Sequence, residues 1–597
     1  MENKILDRHE VDSIYKWNLQ KMYHSFKDWE EDYNNTLKDF ELVKKYKNKI
    51  MKSSKNLYNL LENYFNVSRK IENLYIYASM KNDEDTTNND TQTLKGKIEN
   101  LYMSFEEITS FIVPEILKND YSKVEKFLNE NEKLRKYKFF LEEEFRAKKH
   151  ILNENEEKIL SSLSMSLSNA NKTASYLRNS DMKLGFITDE NGNNIELSDS
   201  NYNVFINSKN REVRKNAFNT MYKSYSNLKN TFASTLSGHI ETEKAIAKIR
   251  NYNSSLEMKL FSGNIPIDVY NNLIEVVNEN LEILHKYYDL KQKMLDVEEL
   301  HLYDVYVNLV EYEETYSFEK AKKEVIESLS ILGEDYIKNI NKAFNENWID
   351  IYENRGKRSG AYSWGSYDSD PYILLNYQNR LKDVSTLAHE LGHSIHSYYS
   401  KRNNDYHEAN YKIFVAEVAS TVNELLLCNH MLKNTDNNNK KLFILNELME
   451  LFRATIYRQT MFAEFEQQIH KKCEDGEILT SEFISDIYLK LNEKYFGKNV
   501  FIDEQIKYEW ARIPHFYTSF YVYQYATGLS AACYIVERIL NNEENSVKDY
   551  LDFLKTGGSD YPINELKIAG VDMNDKKVIE SAIKMFDNII EEFKSLI

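Results

Sequence analysis

Proline occupies only five of 597 positions and glycine sixteen. A sandwich or barrel with many tight turns needs more of both, so their scarcity excludes those classes and leaves a mainly α fold of long helices. Cysteine is scarcer still. Cys428, Cys473 and Cys533 are too few and too irregularly spaced for a disulfide framework or a zinc-thiolate site, and they point to a reducing compartment. Nowhere do eighteen apolar residues run together, and "MENKILDRHEV" is polar where a signal peptide carries an apolar stretch. A cytoplasmic protein without a membrane partner is expected.

Basic charge is also in deficit. Lysine and arginine number 77 against 94 acidic residues, a net charge of -17 that repels phosphate. The lysines alternate with glutamates, as in "NENEKLRKYKFFLEEEFRAKKH", which reads as a solvated helical face. No nucleic-acid partner is expected.

What is present is helical periodicity. Leu57, Leu60, Leu61, Tyr64, Ile71, Leu74, Tyr75 and Ala78 follow the three-four spacing of an amphipathic helix. The polar break "KNDEDTTNND" ends it, and a second periodic run from near Leu94 predicts an antiparallel helical hairpin. In "KLGFITDENGNNIELSD" the runs Phe186 to Thr188 and Ile195 to Leu197 flank the turn-forming Asn191-Gly192-Asn193, a β-hairpin signal. A lobe boundary is placed beside it, giving a helical lobe over 1–195 and a second domain over 196–597. The stretch from Arg355 to Gln378, with three glycines and a proline, predicts a loop and a strand at Tyr372 to Tyr377 whose unpaired edge can accept an extended peptide. From Lys382 onward the pattern is helical again.

Chemistry concentrates in "TLAHELGHSIHSYYS". On a helix His389 and His393 lie one turn apart on nearly one face, so both imidazoles can reach one ion, and Glu390 projects beside them to handle water. This is the His-Glu-x-x-His pattern of zinc peptidases. A third ligand is required. A histidine six residues after the second would mark a metzincin, but that position holds Tyr399, and His396 stands where glycine would be. Downstream, Glu417 and Glu424 share a helical face, flanked by Phe414, Val415, Val418, Val422 and Leu425. A carboxylate on so apolar a helix needs a partner such as a cation. Glu417 is assigned as the ligand and Glu424 as its supporting or salt-bridge neighbour. Glu408 is a weaker candidate in a loop. His396 is assigned to packing or hydrogen bonding, because a fourth protein ligand would close the site to water. His407 is assigned to solvent.

The segments "DVSTLAHELGHSIHS", "FVAEVASTVNELLL", "YSWGSYDSDPYILLNY", "RIPHFYTSFYVYQYATG" and "FLKTGGSDYPINELKIAGVDM" together resemble the thimet oligopeptidase family of zinc metallopeptidases, and within it the oligoendopeptidase F branch. A weaker likeness reaches "DRHEVDSIYKWNLQKMY", so it covers nearly the whole chain. The resemblance implies a two-lobed helical ellipsoid enclosing a deep channel, with a few short strands near one Zn2+ per chain held by His389, His393 and Glu417. It implies a zinc metalloendopeptidase that cleaves internal bonds of short unfolded oligopeptides, with Glu390 activating a zinc-bound water. It also implies oxyanion donors on a substrate-facing segment, where His515 matches the histidine and Tyr517, Tyr521, Tyr523 and Tyr525 crowd the tyrosine position. Tyr521 and Tyr525 are favoured because a separation of four puts them on one helical face. Ser519 stands where this branch leads one to expect proline. The alternative reading is a zinc-dependent peptide-binding protein without turnover, against which the presence of Glu390 counts.

Overall fold

The computed structural model describes residues 5–597, so the first four residues of the polar N-terminal stretch lie outside it. Helix accounts for 70% of the structure and strand for 3%, as the shortage of turn residues predicts. No helix of the described residues is long and apolar enough to cross a membrane.

Helix α1 (Ser54–Glu84) begins where the Ser53 hydroxyl accepts the Asn56 N–H, and α2 (Asn89–Thr109) begins where Asn88 caps two backbone N–H groups. Between them only Asp85 to Asn88 is non-helical, so the predicted break is shorter than its polar sequence. Leu57, Leu60, Leu61, Ile71 and Leu74 are buried as the periodicity requires. Strands β1 (Phe186–Thr188) and β2 (Asn194–Glu196) form the expected hairpin, paired Phe186 to Glu196 and Thr188 to Asn194. Asp189 closes its turn by accepting the backbone N–H groups of Asn191 and Asn193, and β2 begins one residue earlier than expected. Helices α3 (Lys229–Ile249) and α4 (Ile267–Glu279) follow. Strand β3 (Leu300–His301) comes next, then β4 (Ile349–Asp350), β5 (Tyr362–Trp364) and β6 (Tyr372–Leu374). The remaining elements named below are α5 (Leu381–Asn403), α6 (Ile413–Lys433), α7 (Arg458–Glu474), β7 (Val500–Phe501) and α8 (Tyr523–Leu540).

The chain folds into two compact units, each assembled from three stretches. The first takes residues 1–149, 313–430 and 538–570, and the second takes 150–312, 431–537 and 571–597. None of these divisions falls at residue 195. The β1–β2 hairpin is a local turn feature inside the second unit, and turn chemistry does not report where long-range packing thins.

In the first unit β6 is the central strand of a three-stranded sheet, parallel to β4 and antiparallel to β5. The expectation of a free edge on the Tyr372 strand is therefore corrected. Both its edges are paired, and Tyr372, Ile373 and Leu374 are fully buried. A central strand buried on both faces reads as a continuous apolar run, which "YILL" is. The outer strands are β4 and β5, and among the described residues no further strand pairs with either. Beside β4 lies the N-terminal segment, where the Ile351 N–H donates to the Tyr15 carbonyl and the Asn18 N–H to the Asn347 carbonyl.

That segment is latched by charge. Arg8 donates through Nη1 to Asp350 Oδ1 at 2.8 Å and through Nη2 to Oδ2, while Lys357 Nζ lies 2.7 Å from Oδ1. Asp350 and Lys357 are buried, and the neighbouring cations hold the Asp350 carboxyl below its usual range against the effect of burial. Asp350→Ala strands two cations in this interior and is expected to destabilise the protein by about 3–5 kcal/mol. A urea unfolding midpoint equal to that of the parent would show that the latch is not stabilising.

Candidate metal centre

Helix α5 starts with the Asp383 carboxylate accepting the N–H groups of Gln378 and Arg380 and ends with Lys401 and Arg402 in its last turn, both favourable to the helix dipole. Val384, Leu387, Ala388, Leu391 and Ile395 form its buried stripe. His389 and His393 lie on the flank of that stripe, facing α6.

The two helices approach unusually closely at Gly392. A Cβ there would sit 2.5 Å from Ser420 Cα and 2.6 Å from the Ala419 carbonyl oxygen, so no side chain fits. A buried amide fixes the same contact, with Asn423 Nδ2 donating to the Ala388 carbonyl at 3.0 Å and Tyr336 donating to Asn423 Oδ1 at 2.9 Å. Because α6 lies this close, the Glu417 carboxylate reaches the histidines.

His389 Nε2 and His393 Nε2 are 3.1 Å apart, and Glu417 Oε2 lies 3.4 Å from the first and 3.5 Å from the second. Ligands about 2.0–2.2 Å from a tetrahedral zinc lie about 3.3–3.6 Å from one another; both glutamate separations fall in that range and the histidine pair within a few tenths of an ångström of it, and the donor set suits the ion. Among the described residues this is the only group of three or more His, Cys, Asp or Glu side chains with ligand atoms so grouped. Glu424 accepts from His389 Nδ1, which turns Nε2 inward. Burial opposes protonation of His389, but Glu417 and Glu424 outweigh it and raise its pKa to about 10. Burial likewise opposes ionisation of Glu417, yet the two imidazoles hold its carboxyl well below the usual range. Ser420 Oγ donates to Glu417 Oε2 at 3.2 Å.

Glu390 is 6% exposed, and its Oε2 is buried without a hydrogen-bond partner. Burial raises its pKa, partly offset by His389 and His393. A carboxyl group beside a cation site, with one oxygen idle and its proton affinity raised, is suited to exchange protons with water.

His396 is fully buried, with neither ring nitrogen bonded, and it stacks on Tyr411 at 3.8 Å with the rings 2° from parallel. It is a packing residue, and burial lowers its pKa to about 3. The expectation that His407 is solvated is corrected. Its side chain is 3% exposed, it bonds the Lys136 carbonyl at 2.8 Å, and its ring lies 4.5 Å from that of Tyr137. Glu408 is not in the cluster. It belongs to a short 3-10 turn, where burial and Asp405 raise its pKa to about 7.

In the second unit His515, Tyr521 and Tyr525 come together. The ring centres of His515 and Tyr521 are 6.3 Å apart and nearly parallel at 7°, and Tyr525 lies 5.4 Å from Tyr521, edge-on. Burial lowers the His515 pKa, which favours the neutral imidazole. Tyr521 lies two residues before α8 and Tyr525 within it, and the Gln524 N–H donates to the Tyr521 carbonyl at 3.2 Å, so a hydrogen-bonded turn leading into the helix brings the two phenols together. The other two tyrosines are core residues. Tyr517 is buried with its hydroxyl 2.7 Å from Thr235 Oγ1, and Tyr523 is 3% exposed.

Two supports were missed from the sequence. Asn423 braces α6 on α5, and a lone amide in "STVNELLL" is the signal that could have found it. Lys401, half-buried on α5, donates to the carbonyls of Gly365 and Ser366 just beyond β5. With the Ser363 to Ser394 hydroxyl contact at 2.7 Å, it ties the edge strand to the histidine helix.

Residues 204–585 match peptidase family M3, and residues 115–183 match a second family described as Oligopeptidase F. Oligopeptidase PepF of Bacillus subtilis is 42% identical over 596 residues, covering 100% of this chain and 89% of its own. The crystal structure of a chain from Chlamydophila abortus superposes with a TM-score of 0.94 at 39% identity over the full length of both. Oligoendopeptidase-F from Enterococcus faecium superposes with a TM-score of 0.74 at 34% identity, covering 96% of this chain and 99% of its own.

Gly392→Ala places a methyl group against the Ser420 backbone and is expected to destabilise the protein by about 1–3 kcal/mol. Thermal unfolding of the variant at the parent temperature would mean that α5 and α6 have room to spare.

Proposed function

The chain belongs to peptidase family M3, and from that premise we propose that it is a zinc-dependent endopeptidase hydrolysing internal peptide bonds of short, unfolded oligopeptides in the cytoplasm. The observation that carries the reading is the buried Glu390 carboxyl, with its idle oxygen, beside three convergent ligand atoms 3.1–3.5 Å apart. The name of the Bacillus subtilis relative supports oligopeptides as the substrate class. The scarcity and irregular spacing of Cys428, Cys473 and Cys533 agree with a reducing compartment.

His389, His393 and Glu417 would hold the zinc and leave its fourth position open. When bound there, zinc supplies a Lewis acid that acidifies water and polarises a peptide carbonyl. Glu390 accepts a proton from water as general base and returns it to the leaving amine as general acid. Glu424 keeps the His389 ring in the orientation that presents Nε2. His515, Tyr521 and Tyr525 are proposed as donors to the oxyanion, on the resemblance and on their convergence within the second unit. Backbone recognition is assigned to the open edge of β5, where an extended peptide can add a strand.

The test is digestion of a peptide library with and without a chelator, read by mass spectrometry, on the parent and on Glu390→Gln. The parent is expected to cut within peptides and to stop when chelated. Glu390→Gln is expected to keep one zinc per chain while kcat falls by about 100- to 10,000-fold. Cleavage at the parent rate removes Glu390 from the mechanism, and a parent that binds peptides without cutting them selects the binding-protein alternative.

Glu424→Ala is expected to weaken zinc binding by about 10- to 100-fold through the loss of its hydrogen bond to His389. Competition against a chelator measures this, and an unchanged affinity removes the orienting role.

A further inference from the structure

His515 and Tyr521 are only six residues apart and lie on different local structures, so a sharp reversal must bring their rings together. The His515 turn spans Pro514–Tyr517, and α8 begins at Tyr523. Between them Phe520 has φ 59°, a left-handed conformation that bulky side chains avoid. Something outside the segment must hold it.

Three helices of the second unit do so. From α7, Glu466 Oε1 accepts the Phe520 backbone N–H at 2.9 Å, and His470 lies against the Phe520 ring with centres 4.5 Å apart. From α3, His239 Nε2 contacts Ser519 Oγ at 3.2 Å, and Tyr270 of α4 lies edge-on to Phe520 at 5.8 Å. Glu466 is the unusual member. It is 1% exposed, its second oxygen has no hydrogen-bond partner, and among the described residues it makes no ion pair. Its neighbour Glu464, two residues earlier, is by contrast bonded to Lys494 and Tyr495. Burying a carboxyl group is costly, and the one hydrogen bond this one makes fixes the residue preceding Tyr521.

We propose that Glu466 is the positioning residue of the His515, Tyr521 and Tyr525 cluster: by accepting the Phe520 N–H it holds the left-handed reversal that sets the imidazole and the phenols side by side. The purpose of the cluster rests on the endopeptidase reading above; the positioning itself does not. Burial raises the Glu466 pKa well above the usual range and favours the protonated form, of which glutamine is the near-isostere. The acceptor, and not the charge, is then what the cluster requires.

The test compares E466Q and E466M in the full chain by crystallography, zinc content and steady-state kinetics on an internally quenched peptide. E466Q keeps Phe520 left-handed, keeps the His515 to Tyr521 pairing, and keeps kcat within about threefold of the parent, whereas E466M lets Phe520 relax, separates the rings and lowers kcat on the order of 100-fold at parent KM and zinc content. In a Y521F background E466M is expected to add a smaller loss than it causes alone, because one of the groups it displaces is already absent. Should E466M not fold, E466A, which leaves a cavity in place of a bulkier side chain, is read in the same way. An E466M or E466A chain with Phe520 and both rings in their parent positions overturns the proposal. So does an E466Q chain as impaired as E466M, or a loss of zinc that accompanies the fall in kcat. If the parent cleaves no peptide, the endopeptidase reading fails while the crystal structures still decide the positioning.

Discussion

The distance between two helices at one glycine governs the chemistry of the first unit. Gly392 lets the backbone of α5 meet that of α6 at Ser420, and Glu417 sits one turn from that contact, as His389 and His393 sit about one turn or less from Gly392. The 3.1–3.5 Å spacing of the three ligand atoms is a tolerance of a few tenths of an ångström imposed on elements that share no covalent constraint. Asn423 and the Ser363 to Ser394 contact guard it from either side, by tying α6 to α5 and α5 to the sheet. Rigid support of this kind lets a carboxylate and two imidazoles remain convergent without a covalent crosslink.

Carboxyl groups in this chain fall into two kinds. Asp350 has every lone pair engaged by Arg8, Lys357 and the Trp17 N–H, as a structural carboxylate should. Glu390 and Glu466 are as deeply buried, yet each keeps an oxygen with no partner. Burial without full satisfaction is costly, so such groups persist where another demand outweighs stability. For Glu390 the proposed demand is a proton that must arrive and leave. For Glu466 it is a backbone conformation that the chain would not adopt unaided.

Legibility from the sequence followed the range of the interactions. His389, Glu390 and His393 were readable because the helical repeat alone sets their mutual distance, and Glu417 because apolar neighbours isolate a carboxylate on the next helix. The helical hairpin and the β1–β2 turn were readable for the same local reason. The order of the three-stranded sheet was not, since nothing in "YILLNY" states that a two-residue strand before it and "YSW" would occupy both its edges. His407 lies in a polar loop but is covered by Phe65 and Tyr137, which arrive from hundreds of residues away. Tyr521 and Tyr525 were chosen for their separation of four and do meet, but the approach of His515 to them depends on the reversal at Phe520, which no local pattern announces. Division of the chain into units was hidden for the most general reason, as each unit is built from three separated stretches.

The latch on Asp350 has a consequence for how the protein is made. Arg8 and Asp350 are 342 positions apart, and the backbone bonds from Tyr15 and Asn18 reach residues at a similar separation. At a synthesis rate of about 5–20 residues per second, the N-terminal segment waits roughly 20 to 70 s before β4 exists for it to cover. During that interval its apolar Trp17 and Leu19, later buried, lack the sheet they pack beside. The charges around them in "DRHEVDSIYKWN" keep the segment hydrated while it waits, and the same Arg8 that keeps it in water later draws it onto the finished sheet.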